Sequence, residues 1–206
     1  MLRNSFLEPI EDLELAAKLL DAAADALFVG DRKLAVQLIV LANRPSIMEY
    51  AIQIVGKLSD DVHRQTKLPK TLPEDRRDRT RMPNKAVQYS IFSRDGWRCR
   101  YCETKVFSKA ARSRLVAVFP EETNWGAASE FQRHSALYAM AASLDHIVPH
   151  SRGGLNDVSN FATACFCCQF GRGHFILDEV AWSDPLQRPP IVDGWDGLSR
   201  LESHFA

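Results

Sequence analysis

Residues 144–173 read LDHIVPHSRGGLNDVSNFATACFCCQFGRG, and this stretch decides the fold. It contains a pair of cysteines, Cys165 and Cys168, at CxxC spacing, and an earlier pair, Cys99 and Cys102, stands upstream. A structural zinc takes four soft thiolates in a tetrahedron, and a CxxC knuckle offers two sulfurs to one ion. The two pairs together predict a closed zinc site of four cysteines. With 62 residues between Cys102 and Cys165, the metal would staple a domain larger than a minimal finger. Cys167 is the odd member, and its spacing predicts a small core residue. Buried apolar cysteines or a redox pair are the competing readings.

Ahead of the second pair lie Asp145-His146, Pro149, Gly153-Gly154 and Asn160. A neutral imidazole can take a proton near pH 7, which makes His146 a candidate general base. A carboxylate such as Asp145 is a hard oxygen ligand suited to Mg²⁺ or Mn²⁺. Phosphodiester hydrolysis needs an activated water, a cation on the phosphate and a stabilised leaving oxygen. Neighbouring strand residues face opposite ways, so Asp145 and His146 serve one site only at the end of a strand or on an irregularity.

The order CxxC, DH, xxPxSxGG, Asn, CxxC, running from about Arg94 to Gly173, resembles the HNH endonuclease family and its ββα-metal, treble-clef-like fold. FPEETNW at 119–125, CQFGRG at 168–173, LDE at 177–179 and GWDGL at 194–198 are similar to a bacterial and phage branch of stand-alone HNH proteins. That branch often carries a small helical N-terminal segment. The resemblance implies His146 as the base that activates water, Asp145 as a ligand of the catalytic divalent ion, and Asn160 as a residue bonding backbone across the loop to fix His146. The family motif usually ends in Asn or His, whereas this chain has Gln169. Its amide oxygen can still coordinate a hard cation, with a reach longer by one methylene. By resemblance the products carry 5′-phosphate and 3′-hydroxyl ends.

Working outward, Lys+Arg and Asp+Glu balance at 26 each, but not locally. Residues 1–63 carry a net −4, residues 64–114 a net +10, and residues 115–206 a net −6. A basic band between acidic flanks points to a polyanionic partner, with a solvated linker as the alternative. Phosphate contacts from cations supply sequence-independent affinity. Arg94, Arg98, Arg100, Lys105, Arg152 and Arg172 are the candidate nucleic-acid contacts, and double-stranded DNA is the expected partner.

Upstream, Leu13, Ala16, Ala17, Leu20, Ala24 and Leu27 recur at helical spacing. Gly30 predicts a stop, Asp31 an N-cap for a second helix, and Ser46 with Glu49 a capping box for a third carrying Ile47, Tyr50, Ile54 and Leu58. YSIF at 89–92 and the following cysteine knuckle read as strands around an Asp95-Gly96 hairpin turn. Helices are expected around Lys109–Phe119 and Ala127–Ala142.

The expected fold is α+β: an N-terminal helical segment at 1–62, a basic linker at 63–88, a ββα-metal nuclease domain with the four-cysteine zinc site at 89–183, and a C-terminal tail at 184–206. Five cysteines without a secretory pattern, and no apolar run of membrane length, predict a cytoplasmic protein with no membrane contact. The expected activity is metal-dependent cleavage of DNA. Its alternatives are a catalytically weakened binding module of the same fold, and a nuclease regulated by a protein partner or by self-association through the N-terminal helices.

Overall fold

The computed structural model describes residues 4–55 and 70–204. Helix α1 spans Glu11–Phe28 and α2 spans Arg32–Ala42, packed as a hairpin. Alanines 16, 17, 23 and 24 on α1 are fully buried, and with so little side chain between the axes the two helices approach closely. Gly30 turns the chain at φ +81°, and the Asp31 side chain accepts from Leu34 N as an N-cap. Helix α3 spans Pro45–Val55, with proline at its first position. Ser46 does not form the expected capping box. Its hydroxyl donates to the Asp12 carboxylate, which also pairs with Arg44 at 2.6 Å, tying α3 to α1. Leu58 and the 62/63 boundary lie outside the described residues.

The expected strand at YSIF is instead part of helix α4, Lys85–Arg94. Asn84 caps it by accepting from Val87 N, and Ile91 and Phe92 bury one face. Asp95-Gly96 is accordingly a helix C-terminus rather than a hairpin turn. Gly96 sits at φ +66° while Trp97 N donates to Phe92 O, as in a Schellman stop. The knuckle beyond it is held by a bridge between Arg98 and Lys105.

Helix α5 spans Lys109–Val118, capped by Ser108, and α6 spans Pro120–Thr123. The single helix expected over 127–142 is broken into a 3-10 turn at Glu130–Gln132 and a short α7 at Ser135–Ala139. His134 is the cause. Its Nδ1 accepts from Leu137 N, starting a new helix there, and its Nε2 donates to Ile39 O.

Strand β1, Ala142–His146, pairs antiparallel with β2, Phe161–Cys165, setting Asp145 opposite Ala162 and His146 opposite Phe161. Helix α8, Phe166–Arg172, follows at once, completing a ββα unit. All five residues of each strand are buried. Helix α3 packs on α7 and α8, and Ile54 lies so close to Gly171 that a Cβ there would meet its methyl at 2.4 Å. The N-terminal helices and the ββα unit therefore share one apolar core.

The segment after 184 also joins this core. Trp195 Nε1 donates to Val106 O at 2.8 Å, and Leu198 is fully buried. Helix α9, Arg200–His204, brings Arg200 to Asp21 and Asp25 of α1. Among the described residues, no helix is long and apolar enough to cross a membrane.

Candidate active site and cysteine cluster

The knuckle and the β2–α8 junction bring Cys99, Cys102, Cys165 and Cys168 together, with their sulfurs within 4.8 Å of one another and all four buried. Cys102 and Cys165 lie 3.7 Å apart, sulfur to sulfur. A tetrahedron with Zn–S bonds of ~2.3 Å has edges of ~3.8 Å, so the spacing fits one zinc ion. None of the five cysteines is in a disulfide. Cys102 pushes the Cys165 thiol up, but Cys167, Cys168 and Cys99 lower it further, to about 6. A thiolate, the form that binds metal, is thereby favoured at Cys165, while Cys102 and the other cysteines, with burial, push the Cys168 thiol up. Cys167 is buried beside the cluster and is not one of the four. Tyr50, from α3, reaches the same cluster, and its hydroxyl is pushed up by burial first and the neighbouring cysteines next.

At the last two positions of β1 stand Asp145 and His146, both buried. Asp145 Oδ2 accepts from Tyr101 OH at 2.7 Å and from Arg172 at 2.6 Å. The Arg172 guanidinium is fully buried and also donates to the carbonyls of His146, Ile147 and Phe175. Burial pushes the Asp145 carboxyl up from the usual range, with Arg172 and Tyr101 opposing it. The His146 ring packs on Phe161 with centroids 4.6 Å apart, and its Nε2 is buried without a hydrogen-bond partner among the described residues. Its pKa is pushed down to about 4, by burial first and then by the charges of His150, Arg81 and Arg172, against a bond to the Arg81 backbone that raises it. The ring is therefore neutral at physiological pH.

The loop between the strands is clasped by Asn160. Its Oδ1 accepts from Val148 N at 2.8 Å, and its Nδ2 donates to Val148 O and Leu155 O. Gly154 lies under this clasp, where a Cβ would fall 1.7 Å from Val148 O. Gln169, on α8, donates weakly to Leu144 O.

A cavity of about 570 Å³ opens beside this pair. The ββα unit contributes Asp145, His146, His150 and Gln169 to it, and His174 follows just after α8. Residues 74–82 form a further wall, including Arg77, Asp78, Arg79 and Arg81. This segment is fastened to the β1–β2 loop: Leu72 N donates to Ser151 O, His150 Nε2 to Asp78 O, and Asn156 N to the Asp78 carboxylate.

Asp145 and Gln169 offer oxygen donors at the cavity, a sparse set of the kind that suits Mg²⁺, which keeps waters and takes substrate phosphate as further ligands. Among the described residues, the only cluster of three or more His, Cys, Asp or Glu assembled for a metal is the cysteine set.

The six cations nominated from the sequence lie elsewhere. Arg94 is bound to Asp95 and Phe161 O, Arg98 to Asp193, and Arg100 to the carbonyls of Pro185 and Arg188. Lys105 pairs with Glu14, Arg152 with Glu179, and Arg172 with Asp145. None of the six lines the cavity. Each of the six is bonded to the protein's own carboxylates or carbonyls, and the Arg172 side chain is fully buried. The sequence reading also passed over Tyr101. It sits inside the first CxxC, and nothing local marks it as a partner of Asp145.

Residues 129–169 match the HNH endonuclease family model, a span that holds Asp145, His146, Asn160, Cys165, Cys168 and Gln169. Both strands of the ββα unit and the start of α8 lie inside the matched span. No curated protein and no solved structure matches the chain.

Proposed function

We propose that the protein is a metal-dependent endonuclease that hydrolyses phosphodiester bonds in double-stranded DNA. The observation that carries this reading is the buried Nε2 of His146, unpartnered among the described residues, at a cavity shared with Asp145 and Gln169. His146 acts as the general base, taking a proton from the attacking water. Its lowered pKa leaves the ring unprotonated across the neutral range. Asp145 and Gln169 hold the catalytic Mg²⁺ or Mn²⁺. The ion, when bound, neutralises charge on the phosphate and steadies the leaving oxygen. Asn160 holds the loop so that the backbone after His146 is fixed.

The four cysteines hold a structural zinc that fastens the knuckle to β2 and α8. The products carry 5′-phosphate and 3′-hydroxyl ends, and the protein works in the cytoplasm, where its thiols remain reduced.

A second reading has one observation in its favour. Asp145 Oδ2 is already held by Arg172 and Tyr101, which competes with coordination of a cation and suits a zinc-dependent binding module with weakened catalysis. A regulatory partner or a second copy at the N-terminal helices is the third, where Val29, Val40 and Leu41 are exposed.

Cleavage of supercoiled plasmid with Mg²⁺, Mn²⁺ or EDTA, comparing the intact chain with His146→Ala, tests the proposal. Metal-dependent nicking or linearisation that the substitution abolishes is the expected result. Binding of DNA and zinc with no cutting by the intact chain transfers the case to the binding module.

A further inference from the structure

We infer that Arg79 and Arg81, on the segment that walls the cavity, are the residues that grip the DNA phosphates at the cleavage centre. The inference rests on reading the Asp145–His146 cavity as that centre, and it names the substrate-binding groups of the same site.

Location comes first. Arg79 and Arg81 both line the cavity that holds His146, and both are exposed. Availability comes second. Among the described residues neither guanidinium has a hydrogen bond or an ion pair, whereas that of Arg77, their neighbour, donates to Leu72 O. Every other cation nominated for the substrate is committed inside the protein.

The carboxylates on the same wall do not cancel this pair. Asp78 accepts from the backbone N–H groups of Thr80 and Asn156, so it is turned toward the backbone it anchors. Glu74, the other acid on this wall, forms no ion pair with either arginine among the described residues.

The segment is held on both flanks of these arginines. Asp78 is bonded to His150 and Asn156 of the β1–β2 loop, and Gln88 Nε2 to Pro83 O. Their backbone is therefore positioned before substrate arrives. A guanidinium can offer two parallel N–H groups to two phosphate oxygens, and such a charge gains most where negative charge grows in the transition state. The basic band is then part of the active site's wall rather than a spacer.

The test uses the full chain with Arg79→Ala, Arg81→Ala and Arg81→Lys. Arg76→Ala serves as the control, because Arg76 is on the same segment, exposed, and not in the cavity lining. Two quantities are read. One is the single-turnover cleavage rate at saturating plasmid with Mn²⁺. The other is the salt dependence of binding to a labelled duplex, measured in a His146→Ala background so that no cutting intervenes.

Arg81→Ala should slow cleavage about tenfold or more, with Arg81→Lys recovering part of the rate. Each alanine change should flatten the slope of log K against log salt by about 1. Arg76→Ala should leave the cleavage rate within about twofold. Unchanged rate and slope in Arg79→Ala and Arg81→Ala overturn the inference, and so does an Arg76→Ala effect equal to theirs, which would mean a diffuse field rather than a local grip. If the intact chain cuts nothing but the slope flattens only at Arg79 and Arg81, the phosphate grip stands and the nuclease reading fails.

Discussion

The guanidinium of Arg172 and the carboxylate of Asp145 meet at 2.6 Å, with the arginine side chain wholly out of solvent. The carbonyls of His146 and Ile147 at the end of β1, and of Phe175 after α8, accept from the same guanidinium. Arg172 therefore acts from inside, fixing the backbone that presents Asp145 and His146. A buried pair of this kind contributes little net stability against an apolar replacement, but breaking it on one side is costly.

Arg172→Ala should accordingly destabilise the chain by about 3–5 kcal/mol, because it leaves the Asp145 carboxylate buried and unpaired. Urea unfolding checks this. Arg172→Lys keeps the charge but loses the fork that reaches several acceptors, so it should fall between the two. Where enough folded Arg172→Lys is recovered, its DNA binding should show the same salt slope as the intact protein, since no phosphate contact is removed.

Tyr101→Phe removes one of the two hydrogen bonds on Asp145 Oδ2. That bond lowers the Asp145 pKa against the effect of burial, so its loss moves the carboxyl further up. The acid limb of the cleavage rate against pH should shift to higher pH in the variant. The cost in stability should be about 1 kcal/mol. An acid limb at the same pH as in the intact protein would detach Asp145 from the reaction.

Purified protein should carry about one zinc per chain, measured by metal analysis. Cys102→Ser or Cys165→Ser should lose the ion and, with it, the cooperative unfolding of the domain. Cys167→Ala should retain it, because that thiol stands outside the set of four.

His134 is buried, and burial pulls its pKa down to about 4 against the bond to Ile39 O. The unfolded chain takes up this proton near pH 6.5, while the folded chain resists it until about pH 4. The stabilisation is thus complete above the unfolded value and is lost as pH falls through this window. From pH 7 to pH 5 the intact protein should lose about 2 kcal/mol that His134→Gln does not lose, by chemical denaturation at the two values.

Gly154→Ala should be more damaging than a surface glycine change, because the new Cβ falls on the Val148 carbonyl that Asn160 also binds. Cleavage should drop with the Asn160 clasp, while zinc content stays unchanged. Gly126→Ala, where a Cβ meets nothing within 4 Å, is the matching control.

The residues that could be read in advance are those whose partners lie a few positions away. Asp31, expected as an N-cap, accepts from the backbone N–H three residues on. The apolar stripe of α1 lies buried along one face. The Asp145-His146 pair closes β1, where a two-residue alternation had to end for both to face one cavity. YSIF misled because its residues suit either periodicity over so short a run, and the Asn84 cap upstream decided for helix. His134 broke a helix through a contact with Ile39 that lies 95 positions back in the chain.

The sequence by itself determined which chemistries were present: two cysteine pairs at knuckle spacing, an Asp-His pair beside a Gly-Gly loop, and a basic band. Only the tertiary structure decided which charges were spoken for. Lys105 meets Glu14, Arg98 meets Asp193 and Arg172 meets Asp145 across 91, 95 and 27 positions, and no local pattern encodes those distances. An ion pair forms where packing brings opposite charges together, since burying a lone charge is too costly to persist. Arg79 and Arg81 were left facing the cavity because the segment that carries them is bonded to the β1–β2 loop.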